Sequence, residues 1–534
     1  MRHLSMASLL ILLSVLFSST HSATSETFVQ CLTKNSDKSS PISSILFSPN
    51  SSLYSSTLEF SIQNRVFISS TTPKPQFIIT PLRESHIQAA VICSKRQGLL
   101  IRVRSGGHDY EGLSYISYKP FIIIDLVRFE KIDVNVTDKT AWVQAGATVG
   151  QVYYRIAEKS NTLAFPAGVC ATVGVGGLIG GGGLGLLTRK FGLSTDNVLD
   201  ASFIDVNGKL LNRKSMGEDL FWAIRGGQGA SFGVIVSWKI KLVPVPATVT
   251  VFRVEKTLEQ GATSLFFKWQ TSASKFNENL LITTVTEPIT SDGKKTIRVR
   301  FESTFLGSIQ ELLPVMRTSF PELGIEAKDC TEMPWVNTNL FMAWLTGQPL
   351  TILLNRAQQS TNYFKGKSDF VKQAISVSNL ESLWGKMMAE DISPMMMAEP
   401  LGGKMSEIAE SATPFPHRAG NLYVIHYFIS WQDGSASTRY LDSMKRLYSN
   451  MTPYVSKSPR GAYINYKDLD LGANKGVNTS YLEARVWGEK YFKGNFARLA
   501  YVKSKVDPEN FFWNELSIPP LSLKLKKDGE SASM

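Results

Sequence analysis

Only four cysteines and six histidines occur in 534 residues, so neither a disulfide framework nor a metal-built scaffold carries the fold, and no metal is expected. Beyond the first two dozen positions no stretch reaches the about 18 apolar residues of a membrane-spanning helix, and no integral membrane association is expected. Basic residues outnumber acidic ones, 57 to 45, for a net charge of +12, yet no basic tract accompanies the excess. The densest run, Lys524, Lys526 and Lys527, is short and meets Asp528 and Glu530. A dispersed excess is a surface property, so no nucleic-acid partner is expected. Internal repeats are lacking as well. What is present, 43% apolar and 19% charged residues, describes a large folded protein of two or more domains and excludes disorder.

The N-terminus has its own pattern. Arg2 and His3 precede a short apolar core over residues 8–17, and mostly small residues run from Ser18 to Ala23. That order is a secretory signal, with a core too short to cross a bilayer. Passage through the secretory pathway is therefore expected, ending in the apoplast, the vacuole or ER-derived vesicles. Secretion permits disulfides and makes the Asn-x-Ser/Thr triplets at Asn50, Asn135, Asn450 and Asn478 glycan acceptors. Four cysteines allow three complete pairings, between which sequence does not choose. A single bridge from Cys31 to Cys93 is favoured, closing one N-terminal loop and leaving Cys170 free for chemistry.

From residue 75 to about 242, short β-rich runs alternate with helical segments. Residues 99–103, 121–126 and 140–145 read as strands, and residues 89–93 and 149–159 as helical. Past Pro244 and Pro246 the texture changes to longer alternating strands, at 248–254, 280–285 and 296–301, with amphipathic stretches such as 307–317 between them. A long antiparallel sheet with helices fits residues 247 to about 470. From Tyr481 the pattern turns helical, and the apolar element 511–520 is expected to dock on an existing domain.

Eight of the twelve residues from Gly174 to Gly185 are glycine. Glycine brings backbone N–H groups close to a phosphate, so a pyrophosphate cradle is one reading and a tightly packed turn the other. The run is a poor G-x-G-x-x-G match, which argues against a Rossmann fold. Two neighbouring segments bear on the choice: residues 104–115, Arg-Ser-Gly-Gly-His-Asp-Tyr-Glu-Gly-Leu-Ser-Tyr, and residues 165–173, Phe-Pro-Ala-Gly-Val-Cys-Ala-Thr-Val.

With residues 188–197, 219–234, 414–420 and 462–472, these segments resemble the plant berberine bridge enzyme-like flavoproteins, in the family's order from about Phe28 to Leu521. The resemblance implies an α+β, two-domain fold of the vanillyl-alcohol oxidase (PCMH) type. After a signal over residues 1–23, residues 24–245 would form the first part of an FAD-binding domain. A substrate domain over 246–474, a large antiparallel sheet covered by helices, would follow. Residues 475–524 would complete the FAD domain, and 525–534 form a tail. It further implies FAD held bicovalently, His108 standing where the family attaches the 8α-methyl group and Cys170 where a thiolate bonds C6. Both are nucleophiles suited to an electron-poor isoalloxazine. Ser105, Gly106, Gly107, Asp109, Gly174, Gly176, Gly177, Val234 and Asn465 match positions that line the FAD, and Val173 matches a small residue associated with oxygen access.

On the reaction side, Tyr466 and Tyr110 match active-site tyrosines, and Lys467 is a nearby cation that would favour phenolate. Alternation over residues 422–431 puts Leu422, Val424, His426 and Phe428 on one face. His426 stands where relatives carry Glu or Gln, and a neutral imidazole accepts a proton near pH 7 without a large shift. Leu178, Phe191 and Val424 replace more polar residues of relatives, implying an apolar pocket. The expected function is oxidation of an aromatic, prenylated phenolic or alkaloid metabolite, with O2 as acceptor, H2O2 as product and cyclisation as an added outcome. The alternatives are a non-redox cyclase of the Diels–Alderase kind, or a carbohydrate or monolignol oxidase. The protein is expected to be monomeric, with only a small-molecule substrate and O2 as partners.

Overall fold

The computed structural model describes residues 28–37, 39–357 and 362–521; the signal segment and the tail from 522 onward lie outside the described residues. The described residues of the N-terminal half hold two larger sheets and a two-stranded one that pairs Leu163–Ala164 with Val243–Pro244. In the first, Leu46–Phe47, Phe77–Ile79, Phe121–Asp125 and Leu100–Arg104 lie in that order, the last three parallel. Phe121–Asp125 is buried along its whole length, which is why its first four residues are all apolar rather than alternating. The helix Glu84–Gln97 packs on this sheet and ends at Gly98, whose φ of +66° gives a left-handed cap. Cys93 on that helix is disulfide-bonded to Cys31, the pairing the sequence favoured.

The second sheet is antiparallel, in the order Ile132–Asn135, Thr140–Gln144, Val234–Lys241, Val198–Ile204 and Leu210–Leu211. Between these strands runs the helix Val149–Ala157, started by a reciprocal Thr148–Gln151 capping box. The expected strands and helices of this half are all present to within a few residues.

The middle of the chain forms one seven-stranded antiparallel sheet. Its order is Cys330–Pro334, Thr248–Thr257, Lys294–Phe305, Leu280–Ser291, Met395–Pro400, Tyr423–Trp431 and Tyr363–Val371. Two strands run well past their expected limits, because residues 280–291 and 294–305 make a twelve-by-twelve hairpin. Asp292 and Gly293 turn it with φ of +50° and +75°, the two left-handed residues of a type I′ turn. Pro288 and the charged Glu287, Lys294 and Lys295 hid the outer half of this hairpin from a hydrophobicity reading. One sheet face is covered by the helices Ala262–Ser272, Ile309–Ser319, Val377–Ala389 and Ser437–Met451, through Phe266, Trp269, Leu312, Leu383, Trp384 and Met444.

The C-terminal helices Tyr481–Phe492 and Asn495–Val506 do not join that sheet. Trp487, Tyr491, Phe496, Leu499, Leu516 and Ile518 are buried in the same core as Ile224, Phe232 and Trp238 of the N-terminal half. Lys503 is fully buried there, donating to the carbonyls of Ser231 (2.5 Å) and Phe512 (3.3 Å) and to Asp507 (2.7 Å). A buried ammonium with three acceptors is a fixed cross-link rather than a solvated charge.

Candidate active site

Two loops and two strands build the site. The loop after Leu100–Arg104 is anchored by Arg104, whose guanidinium donates to the carbonyls of Leu58 and Thr57 and to Asp125. It then turns at Gly107, φ +72°, where a Cβ would lie 1.8 Å from the Ser61 carbonyl oxygen. Only glycine fits there. The loop presents Ser105, His108, Asp109 and Tyr110 in turn.

The second loop, residues 170–176, lies along residues 145–150. Val149 and Gly150 donate to the carbonyls of Val173 and Ala171, and Val175 and Gly176 to those of Ala147 and Ala145. Gly106 and Gly174 meet backbone to backbone: a Cβ on either would come within 2.3 Å of the other's nitrogen. This contact brings His108 and Cys170 to one place. His108 Nε2 is hydrogen-bonded to Thr172 Oγ1 at 2.9 Å, and Cys170 Sγ lies 3.7 Å from the same oxygen. Cys170 is exposed and unpaired, and burial pushes the His108 ring down to about 4, holding it neutral.

The glycine run divides in two. Gly177 has nothing within 4 Å of its missing Cβ and is exposed. Gly181, Gly183 and Gly185 are instead pressed against Asn465, Ser194 and the Ala167 carbonyl, at 2.0, 2.1 and 1.8 Å from a notional Cβ. The second half of the run is thus a tightly packed turn, and the first half leaves open space at Gly177.

Opposite these loops stands the uncovered face of the large sheet. Val424, His426 and Phe428 share that face of Tyr423–Trp431, while Tyr423, Ile425, Tyr427 and Ile429 pack under the helices. His426 and Tyr466 stack with centroids 3.9 Å apart, and the Tyr110 hydroxyl lies 3.3 Å from His426 Nε2. Tyr110 also stacks on Tyr466 at 5.9 Å and meets Phe364 edge-on at 5.3 Å. Gly366 makes this possible: a Cβ there would lie 2.5 Å from Tyr110 Cε2. The three residues expected to be catalytic are thus brought together, with Phe364 and Phe428 completing an aromatic wall.

Three expectations change. Lys467 pairs with Asp109 at 2.5 Å, and burial among neutral rings raises the Tyr466 hydroxyl well above 10, so Lys467 does not favour phenolate. Burial also pushes His426 down to about 3, so it is not a base poised near pH 7. Phe191 packs with Leu187 and Val243 in a cluster separate from Val424, so it does not contribute to this pocket. Of the remaining residues, Asn465 donates to the Leu178 carbonyl and the Tyr463 hydroxyl, both at 2.9 Å. The Val234 side chain is wholly buried in the sheet core, so only its backbone is available to a ligand. Asn50, Asn135 and Asn478 are exposed, and Asn450 is half-buried. No histidine, cysteine and carboxylate cluster able to hold a metal occurs among the described residues.

The sequence matches the FAD binding domain family over residues 75–213 and the berberine and berberine-like family over 462–519. It is 50% identical over 525 residues to Berberine bridge enzyme-like 8 of Arabidopsis thaliana, covering 96% of this chain and 99% of that protein. The chain belongs to the berberine bridge enzyme-like family. It is an FAD-linked oxidoreductase of that family's two-domain PCMH fold. A tetrahydroberberine oxidase of Berberis wilsoniae is also 50% identical, over 503 residues, covering 93% of this chain and 94% of its own. Among solved structures, an isoleucine-to-valine variant of the pollen protein Phl p 4, a glucose oxidase, superposes with a TM-score of 0.89 at 44% identity. That match covers 93% of this chain and 99% of the other; the wild-type protein is a glucose dehydrogenase.

The residues present fit an FAD. The backbone-to-backbone contact of Gly106 and Gly174, open space at Gly177 and two nucleophilic side chains flanking one hydroxyl are what a nucleotide and a tethered isoalloxazine require. Thr172, Gly366 and Phe364 were not singled out from sequence. Thr172 lies two residues after Cys170, but its contact with His108 spans 64 positions.

Proposed function

We propose that this family member is an oxidase of an aromatic, prenylated phenolic or alkaloid metabolite. The observation that carries the reading is the stacked group of Tyr110, His426 and Tyr466, walled by Phe364 and Phe428 and facing the loop of His108 and Cys170. Flat aromatic surfaces with few charges favour a flat, apolar substrate over a sugar. When bound, the flavin supplies hydride acceptance at N5. His108 and Cys170 would hold it, Ser105, Gly106, Gly107, Asp109, Gly174, Gly176, Gly177, Val234 and Asn465 would line it, and Tyr110 and Tyr466 would orient the substrate carbon. Val173 is half-buried beside these loops. The exchange that separates the dehydrogenase and oxidase forms of Phl p 4, isoleucine to valine, supports O2 as acceptor here, with H2O2 as product.

Anaerobic mixing of the purified holoprotein with coniferyl alcohol, tetrahydroberberine and glucose tests the reading. Bleaching by one of the first two, with H2O2 on readmission of air, is expected. Turnover with unchanged flavin absorbance would instead establish the non-redox cyclase. Flavin that stays with acid-precipitated protein is the expected sign of covalent attachment. The same proposal takes residues 24–245 with 475–524 as one domain around the 246–474 sheet, and a secreted, glycosylated monomer carrying glycans at Asn50, Asn135, Asn450 and Asn478.

A further inference from the structure

Every acid or base expected from sequence is poorly matched to proton transfer near neutral pH: His426 is held down at about 3, and burial raises the Tyr110 and Tyr466 hydroxyls far above 10. A different group occupies the same sheet face. The strand Met395–Pro400 alternates, with Met396 and Ala398 under the helices and Met395, Met397 and Glu399 on the opposite side. Register pairs Met397 with His426 and Glu399 with Val424, so the carboxyl is two residue pairs along from the imidazole, at the next position on the same face. It lies near enough to Tyr463 and Tyr466 to raise both hydroxyls further. Glu399 Oε1 is enclosed and has no hydrogen-bond partner, a costly condition for a carboxyl oxygen unless a ligand or water completes it.

We infer that Glu399 engages the O–H or N–H of the substrate and takes its proton while the adjoining carbon is oxidised, an inference that rests on the oxidase reading above. For a carbinol substrate, the O–H and C–H bonds break and C=O forms. The proton would go to the Glu399 carboxylate, and a bound flavin would supply the acceptor for the hydride and its two electrons. Their passage to dioxygen with two protons would give H2O2, one proton coming from Glu399, which would restore the carboxylate. A substrate whose reacting carbon bears a hydroxyl or a protonated amine satisfies the unpartnered oxygen; a hydrocarbon does not.

The surroundings support this. The groups around Glu399 are Val424, its partner on the neighbouring strand, His426 beyond it on the same face, and Tyr463 and Tyr466 from the 462–472 segment. Arg189 donates to the Leu401 carbonyl two residues on, and its other donors meet the carbonyls of Leu280 and Phe276. With no cation against it, burial alone raises the Glu399 carboxyl to about 8, where a general base works at physiological pH.

Stopped-flow bleaching of the holoprotein by coniferyl alcohol and tetrahydroberberine from pH 6 to 10 tests the assignment. In the parent protein the rate is expected to rise through a midpoint near pH 8. Glu399→Gln, nearly isosteric, is expected to slow bleaching 100-fold or more and to flatten the pH dependence, with flavin absorbance unchanged and a Tm no lower than the parent's; Glu399→Asp should restore part of both. Infrared difference spectra of the parent without substrate should show a protonated-carboxyl C=O band that disappears above pH 8 and is missing from Glu399→Gln. Retention of the rate and pH limb in Glu399→Gln overturns the inference and leaves the oxidase reading standing. Failure of every donor to bleach the parent overturns both.

Discussion

Thr172 stands between the two side chains assigned to the flavin, and its hydroxyl is the hydrogen-bond partner of His108 Nε2. That bond fixes the ring's orientation and leaves Nδ1 as the free nitrogen. Thr172→Val should lower the fraction of protein with flavin bound through His108, read by the mass of the flavin-bearing peptide, whereas Thr172→Ser should retain it. His426 gives the opposite kind of result. Because burial holds it neutral, with a value of about 3, it carries no charge change between pH 5 and 9. His426→Gln should therefore alter the bleaching rate without moving any pH midpoint; loss of a midpoint near 6 would contradict its neutral state. His108, Cys170, Tyr110, Tyr466 and His426 were legible because they sit in short motifs or on an alternating strand. Glu399 was not, since the run Met-Met-Met-Ala-Glu-Pro reads as an ordinary apolar strand. The signal was present nonetheless: the single charge in that run occupies the face that the helices leave uncovered.

Between elements, charged side chains lock the site's parts together. Lys365 and Lys367 on Tyr363–Val371 reach Glu111 (2.5 Å) and Asp468 (3.0 and 2.6 Å). The same strand, through Gly366, receives Tyr110. The cluster thus ties the His108 loop, the sheet edge and the Tyr466 segment into one unit. Lys367→Met removes the 2.6 Å partner of the buried Asp468 and leaves Lys365 at 3.0 Å as its cation; losing one charged hydrogen bond should cost about 2 kcal/mol in denaturant unfolding and weaken flavin retention. At this scale the sequence indicated which segments are strands, from apolar alternation, but not where they end. Turn chemistry at Asp292-Gly293 set the long hairpin, and register carried it through residues whose polarity argued for a loop.

For the molecule as a whole, the Cys31–Cys93 bridge closes a loop of separation 62, so Cys93→Ser should lower stability by about 4 kcal/mol, measured by urea unfolding of the oxidised parent against the variant. Glu399 also sets a pH trend. Its carboxyl sits at about 8 when folded against an ordinary 4.5, so the folded chain holds a proton that the unfolded chain releases. Stability should fall as pH rises from 4.5 to 8, and Glu399→Gln should flatten that slope.

The core of the N-terminal half is finished only by Trp487, Phe496, Lys503 and Leu516, residues made long after the strands they cover. The parallel strands, the His108 loop and the glycine run are all made hundreds of residues before their cover exists. A nascent chain must therefore hold an open apolar face until residues 484–518 are made, and closure follows their translation rather than that of the flavin-binding motifs. Cofactor capture then follows the synthesis of this last cover, and a stop codon between residues 473 and 516 would leave a chain with every motif assigned to the FAD and no enclosed core to hold them.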